Sequence, residues 1–151
     1  MELNTRDFGI VSVEEDAVYK FPIGLYGFEN CREFAIFEKK FDDISFLYLQ
    51  NTEAETPCFM VFEPWELYPN YQPMVTGEDL KASGVDTTED LIFLTIANLP
   101  GQSLEEFSIN IKSPIVLNPK TREGRQVILQ NADYKVRYQP FLETKKSEGG
   151  R

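Results

Sequence analysis

Histidine, the side chain that most often serves as general base or metal ligand near neutral pH, occurs nowhere among the 151 residues. Its absence removes Ser-His-Asp and Cys-His catalysis together with imidazole metal sites. The two cysteines, Cys31 and Cys58, form no CxxC pair. Two thiols cannot complete a structural zinc site, and beside apolar or aromatic neighbours they read as reduced, partly buried side chains. There is no Walker-type loop, GxGxxG turn or GxSxG elbow. Gly24-Leu25-Tyr26-Gly27 has two glycines but lacks the third glycine, the lysine and the following helix of a phosphate cradle, so a turn is expected there. Carboxylates gather at Glu14-Glu15-Asp16, at Asp42-Asp43 and at Glu53 with Glu55. Neither their spacing nor a calcium-loop pattern marks a metal site, and solvated loops are the expectation. Glu63, between Phe62 and Pro64, reads as a rim carboxylate with a basic partner, the alternative being a tuned, partly buried acid. These residues lead to no expected catalytic site, metal site or cofactor.

Chemistry for binding is better supplied. The stretch Phe59-Met60-Val61-Phe62-Glu63-Pro64-Trp65-Glu66-Leu67-Tyr68-Pro69-Asn70-Tyr71 sets aromatic rings among prolines and acids. Protein interfaces use such residues because Trp and Tyr supply large contact area at small entropic cost. Phe59 through Phe62 read as core. For Trp65, Tyr68 and Tyr71, on irregular backbone, interface and core readings both stay open. Glu63, Trp65, Tyr68 and Tyr71 are the first interface candidates, followed by Phe28 and Glu29. A glycine-flanked aromatic such as Phe28 can be a core plug, the favoured reading, or an exposed anchor.

Strands must position these residues. Phe107-Ser108-Ile109-Asn110-Ile111-Lys112 and Tyr134-Lys135-Val136-Arg137-Tyr138 alternate apolar with polar, as half-buried strands do. Phe34–Phe37, Phe46–Leu49, Cys58–Phe62 and Leu91–Ile96 are continuous apolar runs of strand length, the pattern of strands covered on both faces. Phe8–Val13, Ala17–Phe21, Ile115–Leu117 and Gln126–Leu129 are further candidates. Helix has two short openings: Pro64 as a first helical residue before Trp65-Glu66-Leu67, and a capping-box spacing in Thr76-Gly77-Glu78-Asp79 with Gly84 as the stop. Strands about ten residues apart, without helical crossovers, predict an all-β fold, mainly antiparallel, a small barrel or sandwich with one or two short helices. One domain is expected over residues 1–142, with a disordered polar tail over 143–151.

The formal net charge is -10, from 25 acidic against 15 basic side chains. A phosphate backbone is held by Lys and Arg, so this balance argues against direct nucleic-acid or anionic-membrane binding and favours a cationic protein partner. Met1 leads into Glu2-Leu3-Asn4-Thr5-Arg6-Asp7 with no apolar signal core, and no run reaches membrane-spanning length; a cytoplasmic location is expected.

In order along the chain, several blocks resemble the FliW family of flagellar assembly factors. Thr5-Arg6-Asp7-Phe8-Gly9 is similar to the family's opening, and Phe21-Pro22-Ile23-Gly24-Leu25-Tyr26-Gly27-Phe28-Glu29 with Phe34 to its Gly-Leu-x-Gly-Phe-Glu turn. Phe46-Leu47-Tyr48-Leu49-Gln50 and Pro57 through Pro64 resemble its middle strands. Phe107 through Asn118, then Gly124 and Gln126-Val127-Ile128-Leu129, resemble its late block. The departures are mild: Asn51 and Thr52 where a serine is common, and Ser113 where an alanine is common. The resemblance implies a cytoplasmic, mostly β protein without enzymatic activity. It implies two partners, flagellin before export and the RNA-binding regulator CsrA, whose repression of flagellin translation would be relieved. The rival expectations are a small β-domain that binds a ligand or another regulator, and an enzyme with two converging carboxylates.

Overall fold

The computed structural model describes residues 1–142. The tail expected to be disordered, 143–151, lies outside the described residues. Ten strands are formed: β1 Glu2–Thr5, β2 Gly9–Ser12, β3 Val18–Lys20, β4 Glu33–Phe41, β5 Ile44–Asn51, β6 Cys58–Phe62, β7 Ile92–Asn98, β8 Ser108–Ile109, β9 Ile115–Asn118 and β10 Glu123–Gln126. Two short helices, α1 Pro64–Leu67 and α2 Gly77–Ala82, lie between β6 and β7.

Seven of these strands close on themselves. The order β6-β5-β4-β3-β10-β9-β7 is completed by hydrogen bonding of β6 to β7, so the sheet is a barrel. Neighbours in the ring are antiparallel except β3 and β10, which run parallel with Lys20 opposite Glu123. Closure leaves the ring strands without free edges. β8 extends β7, while β1 and β2 form a separate hairpin.

The continuous apolar runs follow from this closure. In β4, Phe34 and Ile36 turn into the barrel while Ala35 and Phe37 turn out; in β7, Leu94 and Ile96 turn in and Phe93 turns out. Both faces need apolar residues because the outside is itself covered. Leu3, Val11 and Val13 of the N-terminal hairpin region lie over Ala35, Phe37 and Tyr48. On another side, Tyr71, Val127, Leu129 and Tyr134 lie over Phe93 and Val116. Inside, Phe21 meets Phe34 edge to face at 5.2 Å, both fully buried among Leu49, Val61, Ile115 and Leu117. Burial of such a ring contributes about 1.5–3 kcal/mol.

Two glycines are fixed by geometry. At Gly124 of β10 a Cβ would lie 2.5 Å from Phe21 Cζ and 2.7 Å from Leu117 Cδ2, so the strand can cross the packed interior only as glycine. Gly24 has φ +69°, and its Cβ would lie 2.6 Å from Glu29 Cα. The turn therefore folds back on itself, and the N–H of Phe28 donates to Leu25 O at 2.8 Å.

Both helix expectations hold in detail. Pro64 opens α1, and at α2 the Thr76 hydroxyl accepts from the Asp79 N–H at 3.0 Å, with Gly84 at φ +75° after the last turn. Tyr134–Tyr138 differs from its expectation and is not a strand. It pairs with Ile109 and Ile111 through Ile111 N to Lys135 O and Tyr138 N to Ile109 O. The C-terminal side has one residue more than its partner, a bulge that breaks the ladder and turns Val136 outward. Phe107–Lys112 shortens to β8, and Ser108 is buried like Phe107, Ile109 and Ile111, so this segment has no wet face at Ser108. Gln126–Leu129 is strand only at Gln126.

Candidate protein-binding surface

Glu63 is the extended residue between β6 and α1 and is exposed. The proline after it starts a single helical turn, which carries Trp65 outward. Trp65 is 43% exposed. It is also held in place: its indole N–H donates to Tyr71 O at 3.0 Å, and its ring meets Tyr71 at 5.5 Å and Phe93 at 5.8 Å, both edge to face. One side of the ring is anchored to the outer core and the other faces solvent. Tyr68 is half-buried, with edge contacts to Tyr71, Tyr134 and Tyr138.

Tyr71 belongs to the interior. It is 3% exposed, stacks on Tyr134 at 5.1 Å, and its hydroxyl donates to Ile111 O at 2.8 Å. Burial, and secondarily Tyr134, pushes its phenol well above the ordinary tyrosine range. A partner can reach it only by displacing Trp65 and Tyr68. Glu66, beside Glu63 on the same turn, is also held above its ordinary value, by partial burial first and by the Glu63 charge second.

The second pair of candidates lies elsewhere. In the turn Leu25-Tyr26-Gly27-Phe28, the Phe28 ring is 39% exposed and leans edge-on against Phe59 at 5.2 Å. Its ring therefore keeps a free face and does not plug the core. The Glu29 carboxylate accepts from the Gly27 N–H at 2.7 Å, and Gln126 Oε1 accepts from the Tyr26 N–H at 3.0 Å, so the turn is braced from two sides. Phe59 and Glu63 are four residues apart at opposite ends of β6, about 13 Å at the usual rise. Phe28 with Glu29, and Glu63 with Trp65, are thus two separate surfaces. Beside Phe28 a half-open cavity of about 480 Å³ is bounded by Tyr26, Ile96, Asn98, Ser108 and Arg137, with no carboxylate in its lining.

A third surface escaped the sequence reading. Phe46 on β5, Met60 and Phe62 on β6, and Leu67 at the end of α1 line one part of an apolar groove of about 320 Å³. Leu99, Leu104, Phe107 and Phe141 line the rest. The signal was present in Phe46-Leu47-Tyr48 and Met60-Val61-Phe62, which are apolar on both faces. Which outward residues receive a cover depends on where the hairpin and the C-terminal segment fold, and no local pattern reveals that.

Among the described residues, no three His, Cys, Asp or Glu side chains gather in a way that could hold a metal ion, and no helix is long and apolar enough to cross a membrane. Half-anchored aromatic rings and carboxylates at the surface of a closed barrel are residue types that protein interfaces use. The family model described as FliW protein matches residues 2–140, and the chain belongs to this family. The flagellar assembly factor FliW of Natranaerobius thermophilus is 31% identical over 141 residues, 93% of each chain. That of Thermoanaerobacter pseudethanolicus is 32% identical over 147 residues, 97% of each chain. A crystal structure of the flagellar assembly factor FliW superposes with a TM-score of 0.81 at 25% identity, covering 95% of this chain and 99% of that one.

Proposed function

We propose that this chain serves flagellar assembly as a cytoplasmic partner switch, changing no covalent bond. It binds flagellin before export, and when the flagellin pool falls it binds the CsrA-type regulator instead, relieving repression of flagellin synthesis. Family membership supports the flagellar role. The observation that carries the CsrA half is electrostatic: with a net charge of -10, the one ion pair between described residues is Arg6–Asp7. Glu63 and Glu66 are exposed, and neither forms an ion pair with a described residue. An RNA-binding regulator needs a basic surface, and an acidic protein docked there attracts that surface and repels the transcript.

A tagged copy of the protein incubated with lysate of motile cells is expected to retain flagellin or CsrA. Recovery of neither contradicts the proposal and leaves a small-ligand role ahead. One observation favours that second reading, since the cavity beside Phe28, about 480 Å³, has the size of small-molecule sites.

A further inference from the structure

The alternation in Phe107–Lys112 puts Ser108 and Asn110 on the polar face of a strand, and that face lines the cavity beside Phe28. β8 pairs with β7 so that Ser108 stands opposite Asn98, and Ile109 opposite Ala97. Ile96 and Asn98 on one strand therefore share a face with Ser108 and Asn110 on the other, and all four belong to the lining. Val136 and Arg137 line it as well, although they are consecutive. Regular alternation would turn one of them away; the extra residue of the bulge brings both to the same side.

The polar groups gathered here are open. Ser108 is 2% exposed, and its hydroxyl makes no hydrogen bond with a described residue. An unpaired buried hydroxyl is costly, so one that lines a cavity points to a bound group that completes it. Asn110 Oδ1 accepts from the Ser113 N–H at 2.8 Å, which fixes its amide and leaves Nδ2 as a free donor. Asn98, the Ser113 hydroxyl and Arg137 also lack side-chain hydrogen bonds to described residues. Gln126 is the contrast, since its Oε1 accepts from the Tyr26 N–H and its Nε2 donates to Ser113 O, both at 3.0 Å.

The open groups can all donate, and the lining contains no acid. Arg137 is its one charged residue, without an ion-pair partner among the described residues. Glu29, on the neighbouring turn, is outside the lining, and its carboxylate accepts from the Gly27 N–H. On a protein of net charge -10, a cavity whose only charge is positive disfavours a cation and suits a single negative charge. A doubly charged phosphate would meet the surrounding surplus with one arginine. A carboxylate matches the planar fork of a guanidinium with one charge. The remaining walls are hydrocarbon: Leu25, Phe28, Phe59, Ile96 and Val136. Phe28 meets Phe59 edge to face at 5.2 Å and keeps an open side for an apolar body.

We infer that this cavity binds a small monocarboxylate with an aromatic or branched aliphatic body. The carboxylate is held by Arg137 with the donors of Ser108 and Asn110, and the body lies against Phe28, Phe59 and Val136. The inference gives the small-ligand reading above a ligand class and rests on that reading; the partner switch stands or falls separately. Because Tyr26 and Phe28 line the cavity, the occupant also touches the turn that carries the Phe28–Glu29 surface.

The test titrates the full, nitrogen-15-labelled chain with 3-phenylpropionate and follows the backbone amides by NMR. Two twins of the same shape serve as comparisons, the neutral 3-phenylpropionamide and the cationic 3-phenylpropylamine. The carboxylate is expected to shift the amides of Tyr26–Phe28, Asn98, Ser108–Asn110 and Arg137, and to bind at least fivefold more tightly than either twin. Arg137→Ala, a change at an exposed residue, is expected to weaken the carboxylate at least fivefold and the amide less than twofold, with Arg137→Lys recovering part of the loss. Lys135→Ala, on the same segment but outside the lining, is expected to change neither by more than twofold. Binding of the amide or the amine at these residues as tightly as the carboxylate overturns the carboxylate class and leaves the small-ligand reading standing. An unchanged carboxylate affinity in Arg137→Ala also overturns the class. No shift of these amides by any of the three at about 10 mM overturns the inference and the small-ligand reading together.

Discussion

Tyr71 joins three parts of the molecule through one side chain: its ring lies between Trp65 and Tyr134, and its hydroxyl satisfies the buried Ile111 carbonyl forty residues away. Tyr71→Phe keeps the ring and orphans that acceptor. The loss is expected to be about 1–2 kcal/mol in urea unfolding, with an unchanged slope. Gly124→Ala meets a different obstacle, the fully buried Phe21 and Leu117, and is expected to cost about 1–3 kcal/mol by overpacking. Cys58 gives a pH dependence. Burial, and then the Asp7 charge, raises its thiol from about 9 to about 11. The folded state therefore holds the proton more tightly than the unfolded chain does. The associated stability is complete below about pH 9 and falls as pH rises toward 11. Between pH 8 and pH 10.5 the wild type is expected to lose more stability than Cys58→Ala; an equal loss would show that the thiol does not contribute. At this scale the sequence left Tyr71 open between core and interface, because its burial depends on Ile111 and Tyr134, which only the fold brings near. Phe28, read preferentially as a plug, keeps a free face because the interior behind it is already filled by Phe59.

Elements whose signals are local were legible. Cys58–Phe62 is β6 residue for residue, and the helix starts at Pro64 and after Thr76 fall where cap chemistry puts them. The Thr76 cap can be tested directly, since Thr76→Ala removes the acceptor for the Asp79 N–H. It is expected to cost about 1 kcal/mol, read as a lower urea midpoint, with Thr76→Ser restoring most of it. Elements that depend on distant partners were not legible. β1 carries only Leu3 as an apolar residue and is a strand because β2 pairs with it and both lie over β4 and β5. Tyr134–Tyr138 has strand alternation but one residue too many for its partner. A choice between barrel and sandwich was equally out of reach, because it rests on the contact of Val61 and Phe62 with Ile96 and Thr95 that closes the ring. The apolar groove was missed for the same reason.

Across the whole molecule, 25 acidic against 15 basic side chains, with one ion pair among the described residues, leave a negative surface to which a cationic partner is drawn. Binding to CsrA is therefore expected to weaken at least tenfold between about 0.05 and 0.5 M salt, as screening shortens the reach of the charges. An affinity that stays flat over that range, measured by calorimetry, would remove the electrostatic half of the proposal. The central claim is that flagellin and CsrA exclude each other on this protein. Purified protein mixed with both partners in excess and separated by size-exclusion chromatography with light scattering tests it most directly. The expected result is two binary complexes, with added flagellin releasing CsrA in proportion; one stable complex containing all three proteins would contradict it.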